Sequence, residues 1–174
     1  RGGGASYTDG YLATTPKSIT IDTSRLNKIV EINEEDMLVT VEPGVTWAEM
    51  AAALAEKNLR TPFWGPFSGL KATVGGSTSQ NSLSMGTSAY GGSPESILCY
   101  EIVLPSGKIL KTGSSSMENS SAFFRHYGPD LTGLFSGDAG ALGVKAKITL
   151  RLIKLPTHTL TCSFGFKDYG SMSK

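Results

Sequence analysis

Three glycine-dense stretches hold the residues whose types and spacing suit chemistry: RGGGAS at 1–6, ATVGG at 72–76 and GDAGALG at 137–143. Glycine lets backbone N–H groups approach an anion with no side chain in the way, and successive N–H groups in a turn make a concave donor site for phosphate. Three designs for such a site can be set against the letters. The Walker loop, G-x-x-x-x-G-K followed by Ser or Thr, is absent from the sequence. The dinucleotide turn G-x-G-x-x-G must follow a strand and open a helix. Its nearest match, Gly137 to Gly143, is spaced G-x-x-G-x-x-G and runs into the alternating stretch VKAKITLRL, so no helix N-terminus is at hand for a pyrophosphate. The third design is a nest of bare N–H groups, and RGGGAS supplies one, with Ser6 as a further donor. The same letters also suit a frayed tail, so the choice between the two rests on the loops that would face them.

The elements that must position these loops follow from hydrophobic periodicity. Alternation around Ile19 and Ile21, and again around Met37, Val39 and Val41, predicts short strands, the second closed by Pro43 and Gly44. Thr46 and Glu49 then stand at capping-box spacing, with Trp47, Met50, Ala51 and Leu54 on one face, which predicts a helix ending near Asn58. Residues 60–96 read as one long loop, and a loop of that length in a compact domain is usually functional. LCYEIVLPSGKILKTG reads as two strands joined by a Pro-Ser-Gly turn. VKAKITLRL predicts a strand with Val144, Ala146, Ile148, Leu150 and Leu152 on one side and Lys145, Lys147, Thr149 and Arg151 on the other. A boundary is expected after residue 155, where LTCSFGFKDYGSMSK begins a new strand.

Composition narrows the classes. A formal charge of +1 with no basic cluster excludes the electrostatic footprint of nucleic-acid or anionic-lipid binding, and the apolar runs are strand-sized, short of a membrane span. Cys99 and Cys162 lie in strand-like contexts without C-x-x-C spacing, which favours a buried, reduced pair over a disulfide or metal site and points to the cytoplasm or another reducing compartment. His126, in FRHYGPD, reads as a solvated loop residue.

Taken together, RGGGAS, VEPGVTWAEM, Pro66 followed by ATVGG, QNS and AYGG, VLPSGKIL and GDAGALGVKAKITL resemble, in order, the blocks of the FAD-binding PCMH-type flavoproteins, the vanillyl-alcohol oxidase or FAD-linked oxidase family. The likeness is nearest to the glycolate oxidase and D-lactate dehydrogenase branch and spans essentially the whole chain. It implies an α+β fold, the second and larger subdomain of the FAD-binding domain, with an antiparallel sheet and flanking helices. By the same resemblance residues 1–155 would be FAD-binding domain lacking its small leading subdomain, and 156–174 the start of a substrate-cap domain. Those two missing parts and a small-molecule substrate are the partners implied.

The resemblance assigns cofactor contacts residue by residue. Gly2, Gly3, Gly4, Ala5 and Ser6 would meet the FAD pyrophosphate through backbone N–H groups. Pro66, Thr73, Val74, Gly75, Gly76 and Ser79 would run past the pyrophosphate and the flavin ring, and Asn81 and Tyr90 would support the ring side. Gly143, Val144 and Ile148 would meet the adenine end. Taken only as residues, Val144 and Ile148 suit a strand core, Tyr90 a packing aromatic and Asn81 a turn. Ser82, Leu83 and Ser84 depart from the small-residue run that many relatives carry there. Ala5 stands where covalently flavinylated relatives place histidine, so the flavin would be non-covalent. The activity implied is hydride transfer from a small 2-hydroxy acid such as D-lactate, glycolate or D-2-hydroxyglutarate to FAD, with the catalytic residues outside this chain and no metal ligand in it. Two alternatives stand beside it: a flavin reductase similar to UDP-N-acetylmuramate reductase, and a non-catalytic α+β scaffold whose glycine loops only turn corners.

Overall fold

The computed structural model describes residues 1–66, 68–126 and 128–173. Its centre is an antiparallel five-stranded sheet built from β1 (Ile29–Asn33), β2 (Leu38–Val41), β4 (Ile97–Val103), β5 (Ile109–Lys111) and β6 (Val144–Arg151), in the order β1-β2-β6-β4-β5. Strand β6 lies in the middle because it is the one most consistently able to bury both neighbours' edges: Val39 faces Leu150, Val41 faces Ile148, and Tyr100 faces Ile148 from the other side. A short pair, β3 (Leu59–Arg60) with β7 (Ile153–Lys154), stands apart from the main sheet. The mixed helix and antiparallel-sheet architecture is the α+β class expected.

One sheet face is apolar and covered. Val39, Val41, Ile148, Leu150, Tyr100 and Ile102 pack with Trp47, Met50 and Leu54 of helix α1 (Trp47–Ala55) and with Phe63, Val74 and Phe135. The opposite face is polar, with Thr40 and Thr149 hydroxyls 2.9 Å apart and a Lys147–Glu101 ion pair at 3.3 Å. Helix α1 begins as its letters predict: Thr46 Oγ1 accepts the Glu49 N–H and Glu49 accepts the Thr46 N–H, which closes the capping box.

Several expectations are corrected. Residues 18–28 form no strand, because their alternation has no neighbouring ladder to complete it; Ile19 and Ile21 stay exposed, and the first strand is β1. The stretch 60–96 is not structureless. It contains helices α2 (Val74–Ser79) and α3 (Thr87–Tyr90) and a 3₁₀ turn at Ser93–Ser96. Lys145 is not on the solvent face of β6. Glu101 pairs with Lys147 but Ile102 with Lys145, so Ala146 is an extra residue, and this bulge turns Lys145 onto the buried face beside Ile102. Finally, Cys99 is buried but Cys162 is exposed, and both are free thiols.

Beyond Leu155, whose N–H donates to Asn58 O at 2.8 Å, the strand expected past residue 155 does not form: residues 156–173 are exposed and end in a short helix at Tyr169–Met172. Among the described residues, no helix is long and apolar enough to cross a membrane.

Candidate functional site

The glycine loops come together around one cavity of about 860 Å³, within the range of small-molecule and cofactor sites. Its walls are the segment Arg1–Ser6, part of the extended chain at 18–23, the start of α2 with Thr73, Gly75, Gly76 and Ser79, Pro66, and the stretch Gly143 to Lys145.

The first wall is shaped by contact. A methyl group placed on Gly3 would stand 1.7 Å from Lys71 O, and one on Gly2 would stand 2.3 Å from Thr73 Oγ1. Only glycine lets the two backbones lie this close. Gly4 adopts a φ of 67°, the left-handed region, where the chain turns away. Arg1 ties the segment down: its carbonyl accepts the Thr23 N–H at 3.0 Å and the Thr23 hydroxyl at 3.1 Å, and its Nε donates to Asp22 at 2.9 Å. Hydrogen bonds from Ser24, then Arg1, hold the Asp22 carboxyl far below the usual carboxylate range. Among the described residues, no acceptor takes the N–H groups of Gly2, Gly3, Gly4, Ala5 or Ser6. A row of donors without protein partners on a cavity wall suits an anion or a chain of acceptor oxygens.

The second wall uses its donors differently. The sequence VGGSTS is a poor helix former, and α2 exists because its first turn is anchored from outside. Thr73 Oγ1 caps the Gly76 N–H at 3.2 Å, Val74 N–H donates to Val45 O at 2.8 Å, and Gly75 N–H donates to Pro43 O at 3.0 Å. A methyl on Gly75 would meet Pro43 Cβ at 2.5 Å, whereas one on Gly76 would meet only Thr73 Oγ1, at 3.2 Å. Trp47 of α1 reaches across, its indole N–H donating to Ser77 Oγ at 2.7 Å, so the core helix fixes the site helix.

The third wall, residues 137–143, docks on the end of α2 through Gly137 N–H to Thr78 O at 2.9 Å and Ala139 N–H to Ser79 O at 2.8 Å. Behind it Lys145 Nζ meets Asp138 Oδ1 at 2.7 Å with both side chains out of solvent, and burial pulls the lysine pKa down against the pull of Asp138. The Tyr100 ring lies 5.6 Å from that ammonium; its hydroxyl shares a hydrogen bond with Ser136 at 3.0 Å, and burial pushes its pKa up to about 12.

Of the sixteen residues expected at a cofactor, twelve line this cavity and four do not. Val74 and Ile148 are fully buried in the core, where the apolar face of α2 meets the centre of β6, so their side chains support the wall from behind. Asn81, with a φ of 51°, packs against Gly137 and Gly92 instead of facing the cavity. Tyr90 lies 5.8 Å from the Arg60 guanidinium, which also stacks on Trp64 at 4.7 Å. Sequence reasoning missed Lys145 and Asp138, because strict alternation gives no sign of a bulge, and it missed the wall at 18–23, read as a strand.

A glycine-shaped nest of free N–H groups, a cavity of this size and the ordered blocks around it meet in one family. Residues 1–113 match the family model described as an FAD binding domain. The chain belongs to the FAD binding domain family. Its similarity to curated relatives runs along nearly its whole length: 33% identity over 93% of this chain to a mitochondrial D-lactate dehydrogenase (cytochrome) of Arabidopsis thaliana, and 32% over 88% to the glycolate oxidase subunit GlcD of Bacillus subtilis. The chain spans 27% and 30% of the length of those two relatives. Among solved structures, an alkyldihydroxyacetonephosphate synthase superposes with a TM-score of 0.76 at 20% identity, over 91% of this chain and 27% of that one, a likeness of fold. The residues present fit the family's cofactor, since residues 2–6 line the cavity with N–H groups that no protein acceptor takes among the described residues.

Proposed function

We propose that this chain is the FAD-binding portion of a flavin-dependent oxidoreductase that oxidises a small 2-hydroxy acid such as D-lactate, glycolate or D-2-hydroxyglutarate, with the flavin held non-covalently. The observation that carries this reading is the row of five unpartnered N–H groups from Gly2 to Ser6 on the cavity wall. Those donors would take the pyrophosphate oxygens, and charge-assisted N–H bonds of this kind are the strong ones. Thr73, Gly75, Gly76 and Ser79 would border the cofactor from the α2 side, and Gly143 and Val144 from the strand side. Bound there, the flavin supplies two-electron acceptance, which side chains cannot provide. This chain's own residues orient it and exclude water from one flank. Ala5 offers no imidazole for a covalent link to the ring. The names of the two relatives above support D-lactate and glycolate as the acids, and the last hydrogen bond to the body, at Leu155, supports a division after residue 155.

The test is spectroscopic. The full-length protein should be yellow as purified, release FAD into the supernatant on acid precipitation, and lose its visible flavin absorption band on anaerobic addition of one of the three acids. A colourless protein that takes up no FAD would overturn the cofactor assignment; a yellow one bleached by none of the acids would overturn the substrate class.

A further inference from the structure

The bulge in β6 carries a lysine out of solvent and into the wall of the cavity. Lys145 immediately precedes the extra residue Ala146 and shares the buried face with Ile102; its side chain is 3% exposed, and that of its partner Asp138 is 2% exposed. Burying an ammonium is costly unless the charge is met, so a bulge that does this needs a return. The return lies in the loop. Besides Lys145, Asp138 Oδ1 accepts the N–H of Gly140 at 2.9 Å, and Oδ2 accepts that of Leu142 at 3.4 Å. Gly137, Ala139 and Gly140 all have positive φ, so the loop bends three times on its way to the strand and has little shape of its own. One carboxylate gathers it, and the ammonium makes that carboxylate tolerable inside the protein.

We propose that the Asp138–Lys145 pair is a positioning device for the nucleotide half of the ligand, setting the 137–143 loop, and with it Gly143 and Val144, against the adenosine diphosphate moiety. This rests on the reading of the cavity as an FAD site and adds the pair that tunes affinity for one half of it. The pair acts through the loop; neither residue needs to touch the flavin.

Three full-length proteins test the idea: the wild type, Lys145→Met and Asp138→Asn/Lys145→Met. Each is stripped of flavin, titrated with FAD by flavin fluorescence, and titrated with ADP as competitor. Lys145→Met leaves a buried carboxylate unpaired and should weaken FAD and ADP alike, by about tenfold or more, with the absorption band of the saturated flavin unchanged. In the double variant the amide still accepts N–H bonds and no charge is stranded, so both affinities should return to within about threefold of wild type. Unchanged affinities in Lys145→Met would overturn the proposal, as would a loss for FAD with none for ADP, which puts the effect at the flavin end. A folded double variant as weak as the single one would also overturn it, because the ammonium would then act on the ligand directly. If Lys145→Met does not fold, the double variant decides: near-wild-type binding supports the pair, and loss of binding refutes it. A wild type that binds neither FAD nor ADP fails at the cofactor reading instead.

Discussion

Two glycine runs flank the same cavity and spend their backbone donors in opposite ways. In Arg1–Ser6 the N–H groups of residues 2–6 have no protein acceptor among the described residues, and in Val74–Gly76 each N–H is already committed, to Val45 O, Pro43 O and Thr73 Oγ1. The glycines are needed for different reasons as well. Gly3 lets one backbone lie against Lys71 along the cavity wall, whereas Gly75 lets a helix lie against Pro43 so that the core can hold it. On the function proposed, one run is the binding surface and the other is scaffold. Glycine density alone does not distinguish them; the partners of the N–H groups do.

The largest expected effect breaks the scaffold. Gly75→Val would drive its side chain into Pro43 Cβ and Pro43 O, 2.5 and 2.8 Å from the first added carbon. Backbone cannot move aside cheaply, so the unfolding free energy measured in urea should fall by about 3 kcal/mol or more, with or without flavin. A variant with wild-type stability would show that α2 is not held by Pro43.

Gly3→Ala should do the reverse. Its methyl would meet Lys71 O and push the donor row off the wall, weakening FAD by about a hundredfold, equivalent to about 2.7 kcal/mol. Few bonds tie residues 1–27 to the body, so the flavin-free protein should unfold within about 0.5 kcal/mol of wild type. Loss of stability matching the loss of affinity would merge the two regions into one.

The smallest effect separates them by pH. Tyr100, in the scaffold, has its pKa raised by burial from 10.0 to about 12. Its contribution is therefore fully present below pH 10 and lost as pH rises toward 12, by at most about 2–3 kcal/mol. Tyr100→Phe should flatten that alkaline decline in thermal-unfolding temperature. Asp22, which tethers Arg1, has a depressed pKa, so its contribution is present above the ordinary carboxylate range and is lost only on acidification. Acid should thus loosen the binding surface, and alkali the scaffold. An alkaline decline that persists in Tyr100→Phe would assign it to another group.

Much of this was legible in the letters, and what was not has physical causes. The capping box, the β4–β5 hairpin and the strand β6 follow from local periodicity and turn chemistry, which the fold leaves intact. Helix α2 is hidden in the letters because its stability is tertiary: VGGSTS has no propensity to show, and its anchors Pro43 and Val45 lie about thirty residues back in the chain. Lys145 was placed on the wrong face because one extra residue reverses a period-2 pattern. Of the site, the nest and both glycine walls were visible as motifs, whereas which N–H groups remain free is a matter of partners, and partners are set by the fold.

Amide hydrogen exchange of the full-length protein, followed at 1–6 and 73–79 with and without saturating FAD, tests the central claim most directly. Residues 2–6 should exchange fast without the cofactor and slow markedly when it binds, while Val74 and Gly75 should be protected in both states. Amides of residues 2–6 that exchange equally fast with FAD bound would contradict the account.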